Sequence, residues 1–169
     1  MRTRSAILTD AAAIHRLIQH YSTMDVLLPR TLPEICENIR DFVVAEEGGS
    51  IVGCGALHLY GVHLAEVRSI AVAPEFQKQG IGARLVRSLL AQARKHHVAC
   101  VCLFTRIPEF FATFGFSVAA RGDIPDKLYK DCCQCPKLHQ CDEVAMVRGA
   151  LPTFAILPQP PSWTVKFTT

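Results

Sequence analysis

A loop with two glycines has the residue types of a phosphate-binding turn. It consists of Gln77, Lys78, Gln79, Gly80, Ile81, Gly82 and Ala83. Glycine tolerates positive φ, and the first turn of the helix predicted to follow offers unpaired N–H groups beside the positive end of its dipole. Such an arrangement suits a diphosphate. The loop lacks the Lys-Ser or Lys-Thr pair of a P-loop and the third glycine of a dinucleotide fingerprint, so these residues alone are equally compatible with an ordinary turn.

A second group of reactive side chains lies near the C-terminal end of the chain. Its members are Cys132, Cys133, Cys135, His139 and Cys141. Cys132 and Cys135 have the spacing of a zinc knuckle, and His139 with Cys141 would complete four ligands. The two halves are closer in sequence than in ordinary zinc fingers, and no second knuckle follows. We therefore expect reduced thiols that pack a loop, with a zinc site as the less favoured alternative.

The composition is that of a single globular domain. The chain has 169 residues, of which 50% are hydrophobic and 20% charged, and its net charge is +3. This length suffices for one hydrophobic core. No basic stripe or tail indicates nucleic-acid binding, and no apolar stretch reaches the roughly 18 residues that a membrane span needs. The N-terminus lacks the apolar core of a signal peptide, so we expect a cytoplasmic protein with reduced cysteines.

Apolar runs alternate with amphipathic stretches along the chain, and this alternation favours an α/β architecture. Strands are predicted over residues 4–8, 42–46, 51–59, 64–73, 99–105, 116–119 and 144–147. Helices are predicted over residues 10–21, 31–39, 81–93 and 108–114. The second helix begins at a capping box of Thr31 and Glu34, with Pro33 in its first turn. One domain is predicted over residues 1–148, followed by a proline-rich irregular tail over 149–169.

The glycine loop and its surroundings resemble the signature of the GNAT acetyltransferase superfamily. Gln77, Gly80 and Gly82 match the family pattern Gln/Arg-x-x-Gly-x-Gly/Ala in register, and the flanking strand and helix in segment 67–90 match as well. Segment 110–116 resembles the family's later Phe-x-x-x-x-Gly-Phe motif. The resemblance implies the GNAT fold, in which about four helices flank a mixed, mostly antiparallel sheet of six to seven strands.

The same resemblance implies acetyl-CoA as co-substrate and assigns parts of its binding site. The amides of residues 78–83 would bind the pyrophosphate. The backbone groups of Ile70, Ala71 and Val72 would pair with the pantetheine arm like an added strand, and Phe111 would pack against the cofactor. Lys78 is also suited to offset charge on the nucleotide, although a solvated surface charge is an equally good interpretation.

A finer resemblance links the chain to stand-alone bacterial N-acetylglutamate synthases. It rests on segments 28–31, 39–45, 53–57, 64–72, 103–106 and 131–137. It implies acetyl transfer to the α-amino group of L-glutamate, or of the similar L-glutamine, as the first step of arginine biosynthesis. The long synthases carry an amino-acid-kinase domain upstream that we do not expect here, which puts their arginine feedback in doubt. GNAT folds commonly dimerise, so a homodimer is one expectation.

An amino-acid substrate requires partners for its carboxylates and a base for its ammonium group. Bidentate arginine is the preferred carboxylate partner, and Arg30, Arg68 and Arg106 are the candidates. Glu66 is the candidate base, because the superfamily often places a glutamate base on the strand before Ile70. Strand alternation puts Glu66, Arg68 and Ile70 on one side. A structural ion pair of Glu66 with Arg68 is the alternative, as Arg68 would lower the pKa of Glu66.

One position departs from the family pattern. Many GNAT enzymes place a proton-donating tyrosine where this chain has Phe111. The departing CoA thiolate would then take its proton from solvent or from another residue such as Tyr129. Two other functions stay open: an acetyltransferase for a different small amine or a protein N-terminus, and a non-catalytic sensor that binds acetyl-CoA and a metal.

Overall fold

A computed structural model of the protein describes residues 1–151, so the predicted irregular tail lies outside the described residues from 152 onward. The strands are β1 (Arg2–Ser5), β2 (Phe42–Glu47), β3 (Ser50–Leu59), β4 (Leu64–Val72), β5 (Cys100–Thr105), β6 (Ser117–Val118) and β7 (Val144–Gly149). The α-helices are α1 (Ala11–Thr23), α2 (Leu32–Glu37), α3 (Ile81–Lys95), α4 (Pro108–Ala112) and α5 (Pro125–Lys130). Within residues 1–151, none of the helices combines the length and the apolarity needed to cross a bilayer.

The strands form one sheet in the order β1-β2-β3-β4-β5-β7-β6. All neighbours are antiparallel except β4 and β5, which run parallel. The predicted mixed, mostly antiparallel sheet is therefore confirmed. The predicted capping box of α2 is also present, because the Thr31 hydroxyl accepts a bond from the Glu34 amide and the Glu34 carboxylate accepts one from the Thr31 amide.

Both faces of the sheet are covered by helices. On one face, α3 packs Ile81, Leu85 and Leu89 against inward residues of β2, β3 and β4, and Phe111 of α4 joins this cluster. On the other face, α1 and α2 cover β2 to β4 through a separate cluster that includes Ile14 and Ile35. A third cluster lies at the β5 and β7 end of the sheet, where Ile124 packs just before α5.

The parallel strands β4 and β5 stay paired only at their beginnings. Their register ends where Glu66 opposes Cys102. Beyond that point, the edge of β4 that faces β5 has no strand partner among the described residues. An unpaired strand edge presents N–H and C=O groups to which an extended ligand can add. The sheet therefore has an internal gap beside residues 67–72.

A bulge in β4 interrupts the predicted alternation of its side chains between the two faces of the sheet. The register with β3 shifts between Cys54 and Ala56, and Ser69 takes a positive φ of 55°. A bulge inserts one residue and so reverses which face the following residues point to. Glu66 and Arg68 share a face as expected. Ile70 packs instead with the α3 cluster on the opposite face.

The end of the first strand and an additional helix are among the differences from the sequence prediction. The first strand was expected to reach residue 8 but ends at Ser5, and a 3-10 turn covers Leu8–Asp10. The reason is local, because the Asp10 carboxylate accepts bonds from the Arg4 guanidinium and from the Ile7 amide. Helix α5 was not predicted at all. It is one and a half turns long, which is too short for an apolar period to show.

Candidate active site

The glycine loop forms an open nest of backbone amides. Lys78 and Gly80 have positive φ values of 57° and 77°, and Gly80 is the N-cap of α3. Among the residues the structure describes, none accepts a hydrogen bond from the amides of residues 78–83. The ring of Phe110 lies 3.7 Å from the point that a β-carbon on Gly82 would occupy. The loop therefore has the free donors and the close approach that a diphosphate needs, and the exposed Lys78 side chain lies beside it.

The unpaired edge of β4 leads from this loop into the interior. The Ala73 amide bonds to the Val52 carbonyl at 2.8 Å, and Val72 lies opposite Gly53. Because pairing alternates along an antiparallel ladder, the backbone groups of Val72 and Ile70 point to the open side, while those of Ala71 point to β3. Of the three residues expected to pair with pantetheine, Ile70 and Val72 thus present their backbone groups to the open side, and the pairing itself stays a prediction.

Tyr21 of α1 closes part of this edge. Its hydroxyl donates a hydrogen bond to the Val72 carbonyl. The same hydroxyl accepts a bond from the side-chain amide of Gln77 at 2.7 Å. Gln77 therefore contacts α1 through its side chain, and a ligand strand that pairs with Val72 has to displace Tyr21.

A pocket opens where β4 and β5 diverge. Its walls come from the loop before α2, from β4, and from α5 with the segment that follows it. It is lined by Leu27, Leu28, Arg30, Glu66, Val67, Arg68, Ser69, Phe104, Arg121, Lys127, Asp131, Cys132, Cys135, Cys141 and Glu143. Four of these side chains are cationic and three are anionic, so the pocket suits a ligand that carries charges of both signs. The structure thus brings Arg30, Glu66 and Arg68 together.

Five polar side chains form a connected network in this pocket. Lys127 Nζ lies 2.7 Å from Glu66 Oε1 and 2.8 Å from Asp131 Oδ2. The Tyr60 hydroxyl lies 3.0 Å from Glu66 Oε2 and 3.2 Å from Asp131 Oδ2. Arg68 is more distant, at 3.8 Å from Glu66 and 3.7 Å from Asp131. The expected contact between Glu66 and Arg68 is present, but Lys127 is the closer cation.

The pKa shifts in the network follow from burial and from the contacts that Lys127 and Tyr60 make with both carboxylates. Burial acts to lower the pKa of Lys127, but the charge and hydrogen bonds of Glu66 and Asp131 outweigh it, and the net shift is upward. For Asp131, burial acts to raise the pKa and the bond from Lys127 outweighs it, so the net shift is downward. Burial, followed by the charges of Glu66 and Asp131, raises the pKa of Tyr60. Lys127 and Asp131 are thus charged, and Tyr60 is a neutral donor, at neutral pH.

Three other sequence candidates lie away from the network. Arg106 is held by Asp142, with Nε 2.8 Å from each carboxylate oxygen, and it lines a separate depression. Phe111 is 6% exposed and packs against Phe110 and Phe116 in the core below α3. Tyr129, considered as a proton donor, is 79% exposed and does not line the pocket that holds Glu66.

The cysteine cluster divides between the pocket and the surface. Cys132, Cys135 and Cys141 line the pocket, whereas His139 is exposed. Across residues 1–151, no group of three or more histidine, cysteine, aspartate or glutamate side chains has the geometry to hold a metal ion. Burial raises the pKa of Cys132, so this thiol is a weak nucleophile at neutral pH. In the structure these cysteines are free thiols in the pocket wall.

Sequence reasoning missed several residues of the network and of the pocket wall. Tyr60, Arg121 and Lys127 come from segments without a recognisable motif for this chemistry, and Asp131 begins segment 131–137 of the finer resemblance without being implied by it as a site residue. The available signal was the spacing of Lys127 and Asp131, which are four residues apart and therefore adjacent on one helical turn. That spacing is equally typical of an exposed ion pair, so it could not have identified a buried one.

Comparisons with known proteins identify the family of this chain. The family model of the acetyltransferase (GNAT) domain matches residues 38–118. An uncharacterised N-acetyltransferase of Chlorobaculum tepidum is 41% identical over 86% of this chain and 94% of its own length. An amino-acid acetyltransferase of Mycobacterium tuberculosis is 34% identical over 78% of this chain and 76% of its own. The chain belongs to the GNAT acetyltransferases.

Solved structures of this family extend the comparison to ligands. A Mycobacterium tuberculosis protein in complex with CoA has a TM-score of 0.76 at 30% identity, covering 89% of this chain and 100% of that one. An N-acetylglutamate synthase of Neisseria gonorrhoeae, complexed with coenzyme A and N-acetyl-glutamate, has a TM-score of 0.79 at 26% identity. The match covers 90% of this chain and 35% of the synthase chain. This GNAT protein is accordingly an acyltransferase with acetyl-CoA as its co-substrate.

Proposed function

We propose that this GNAT enzyme transfers the acetyl group of acetyl-CoA to the α-amino group of L-glutamate, or of the closely similar L-glutamine. The observation that carries the proposal is the pocket beside the β4–β5 gap, which holds arginines and carboxylates together. An amino acid carries an ammonium group and at least one carboxylate, so it requires both. Relatives named amino-acid acetyltransferase, and a structural neighbour complexed with N-acetyl-glutamate, support this acceptor class.

Arg30 and Arg68 are the proposed partners of the acceptor's carboxylates. Arg30 has no hydrogen bond or ion pair to any other described residue, and Arg68 makes only long contacts to Glu66 and Asp131. Both guanidinium groups are therefore available for bidentate contacts. Arg106 is not part of this proposal, because Asp142 already binds its guanidinium outside the pocket.

The reaction we propose is direct transfer. The acceptor amine attacks the thioester carbonyl, a C–N bond forms, and the C–S bond breaks to release CoA as a thiolate. The nitrogen gives up one proton to solvent as the amide forms, and the thiolate takes up one proton from solvent. Before the attack, the ammonium group has to lose a proton. Glu66 and Asp131, bridged by the Tyr60 hydroxyl, form the carboxylate pair that accepts it. Phe111 has no proton to give, so no residue of α4 replaces solvent as the acid.

The test is a free-CoA assay with L-glutamate, L-glutamine and L-aspartate in parallel, alongside other small amines and a peptide with a free N-terminus. We expect the highest kcat/KM with glutamate or glutamine. Turnover with the peptide or a simple amine alone would contradict the proposed acceptor and support a different GNAT substrate. Tight acetyl-CoA binding without turnover on any amine would support a sensor function instead.

A pair of arginine variants tests the carboxylate site. Arg30→Gln removes a charge-assisted contact, which typically contributes about 1.5–3 kcal/mol, so the KM for the acceptor should rise roughly 10- to 100-fold. Arg106→Gln is the matched control and should leave that KM within about twofold, because its partner Asp142 lies outside the pocket. Equal effects of the two substitutions would overturn the assignment of Arg30.

A further inference from the structure

The two pocket carboxylates differ in how many of their oxygens are engaged. Glu66 uses both, since Oε1 accepts from Lys127 at 2.7 Å and Oε2 accepts from Tyr60 at 3.0 Å. Asp131 receives Lys127, Tyr60 and the longer Arg68 contact on the single atom Oδ2. Within residues 1–151, no hydrogen bond reaches Asp131 Oδ1. A carboxylate oxygen has two lone pairs, so Oδ1 retains its full capacity to accept.

The position of Asp131 also makes it the more accessible of the two. It directly follows α5 and precedes the 3-10 turn Cys132–Gln134, whose backbone its side chain does not cap. Its side chain is 21% exposed, against 4% for Glu66. Both residues line the pocket, but Glu66 lies behind its partners on β4. A cationic ligand entering the pocket can therefore reach Asp131 without breaking an existing bond.

We propose that Asp131, through Oδ1, binds the amino group of the acceptor, and that Glu66, besides its part in proton transfer, holds Asp131 in place through Lys127 and Tyr60. This inference rests on the proposed function and names the residue that selects an amino acid over a plain carboxylic acid. The site takes a primary ammonium group that lies within reach of a carboxylate-binding arginine. Arg68 Nη1 is 3.7 Å from Asp131 Oδ2, so both subsites belong to one small molecule.

The charges around Asp131 favour a role in binding the acceptor's amino group over a purely structural role. Lys127 and Arg68 face it from α5 and β4, Glu66 is the other acid, and Tyr60 contributes a hydroxyl from the end of β3. The two cations balance the two carboxylates, so the network is neutral before the acceptor arrives. The lowered pKa of Asp131 keeps it anionic at neutral pH, as an ammonium partner must be.

The experiment compares an acceptor with an amine-free analogue in the full-length enzyme. Asp131→Asn keeps the shape of the side chain and removes its charge. We expect the KM for L-glutamate to rise about 10- to 100-fold, as is typical when a charge-assisted hydrogen bond is lost. Glutarate has both carboxylates and no amine and is assayed as a competitive inhibitor; its Ki should stay the same or fall. Asp142→Asn is the matched control and should change neither value.

Several outcomes would overturn the inference. One is an unchanged KM for glutamate in Asp131→Asn; another is a parallel rise in KM and in the Ki of glutarate, which would indicate a collapsed pocket. Calorimetric binding of acetyl-CoA to the variant verifies that it is folded, and Asp131→Glu should recover part of the lost affinity because it restores the charge. If glutamate is not the acceptor, the wild-type enzyme will already fail to turn it over in the free-CoA assay. The same comparison is then made with the amino acid that has the highest kcat/KM and with its deaminated analogue.

Discussion

Lys127 offers the sharpest test of how the pocket is held together. Its ammonium group is the shared counter-ion of Glu66 and Asp131, at 2.7 and 2.8 Å. The side chains of Lys127 and Glu66 are only 9% and 4% exposed, so solvent screens this interaction little. Lys127→Met keeps the length and apolar bulk of the side chain and removes its charge. The variant therefore leaves two carboxylates close together without their nearest cation.

The expected loss of stability in Lys127→Met follows from the burial of the ion pair between Lys127 and Glu66. Removing one partner of a buried ion pair typically costs about 3–5 kcal/mol, because the remaining charge is neither solvated nor paired. For a chain of this length, 1 kcal/mol shifts the unfolding midpoint by about 2–4 °C, so Tm should fall by roughly 6–20 °C. Lys137→Met is the matched control. Its partner Asp25 is 75% exposed, and that surface pair should contribute less than about 1 kcal/mol.

The pH dependence of the loss identifies its electrostatic origin. The pKa of Lys127 is raised on folding, so its contribution is complete below its unfolded pKa and is lost as pH rises through the folded value. The pKa of Asp131 is lowered, so its contribution is present above its unfolded pKa and is lost as pH falls through the folded value. In Lys127→Met, Asp131 loses the cation that lowers its pKa and protonates more readily, so the difference in stability from wild type should shrink at pH 5.

Thermal unfolding followed by circular dichroism at pH 5 and pH 7 measures both effects. A fall in Tm at pH 7 no larger than that of Lys137→Met would refute the stabilising role of the buried ion pair. A large cost that is the same at both pH values would show that packing, and not charge, is responsible. The double variant Lys127→Met/Glu66→Gln should regain part of the stability, because it removes one of the two unpaired charges.

Three further predictions concern the donor site and proton transfer. Gly80→Ala and Gly48→Ala should each lower the free energy of unfolding by about 1–2 kcal/mol, because both glycines have positive φ. Only Gly80→Ala should also weaken acetyl-CoA binding in calorimetry. An equal affinity loss in both variants would argue against the amide nest. Tyr21→Phe removes the hydroxyl bonded to Val72, so acetyl-CoA should bind about 2- to 10-fold more tightly; weaker binding would mean that the hydroxyl helps to hold the ligand. Glu66→Gln should lower kcat and alter the pH–rate profile without changing acetyl-CoA affinity, and an unchanged profile would exclude Glu66 from proton transfer.

The donor side of this enzyme was largely predictable from sequence because it is built from local structure. A glycine at a helix start has the same consequence in any context, and segment 67–90 carries its strand, loop and helix in one continuous stretch. The hairpin of β2 and β3 and the amphipathic face of α3 were likewise visible as local periodicity. What local reasoning could not supply was the bulge at Ser69, which depends on pairing with β3 and turns Ile70 to the other face.

The acceptor side depended on tertiary structure. Glu66 and Asp131 are 65 positions apart in the sequence, and only the packing of α5 over β4 and β5 brings them to a common lysine. Sequence alone names Arg30, Arg68 and Arg106 as candidates and cannot assign their partners, because a guanidinium group has no local signature for its partner. The fold separates them by placing Asp142 against Arg106 and leaving Arg30 at the pocket. Sequence thus determined the fold and the donor, whereas long-range packing decided which charged side chains meet in the acceptor pocket.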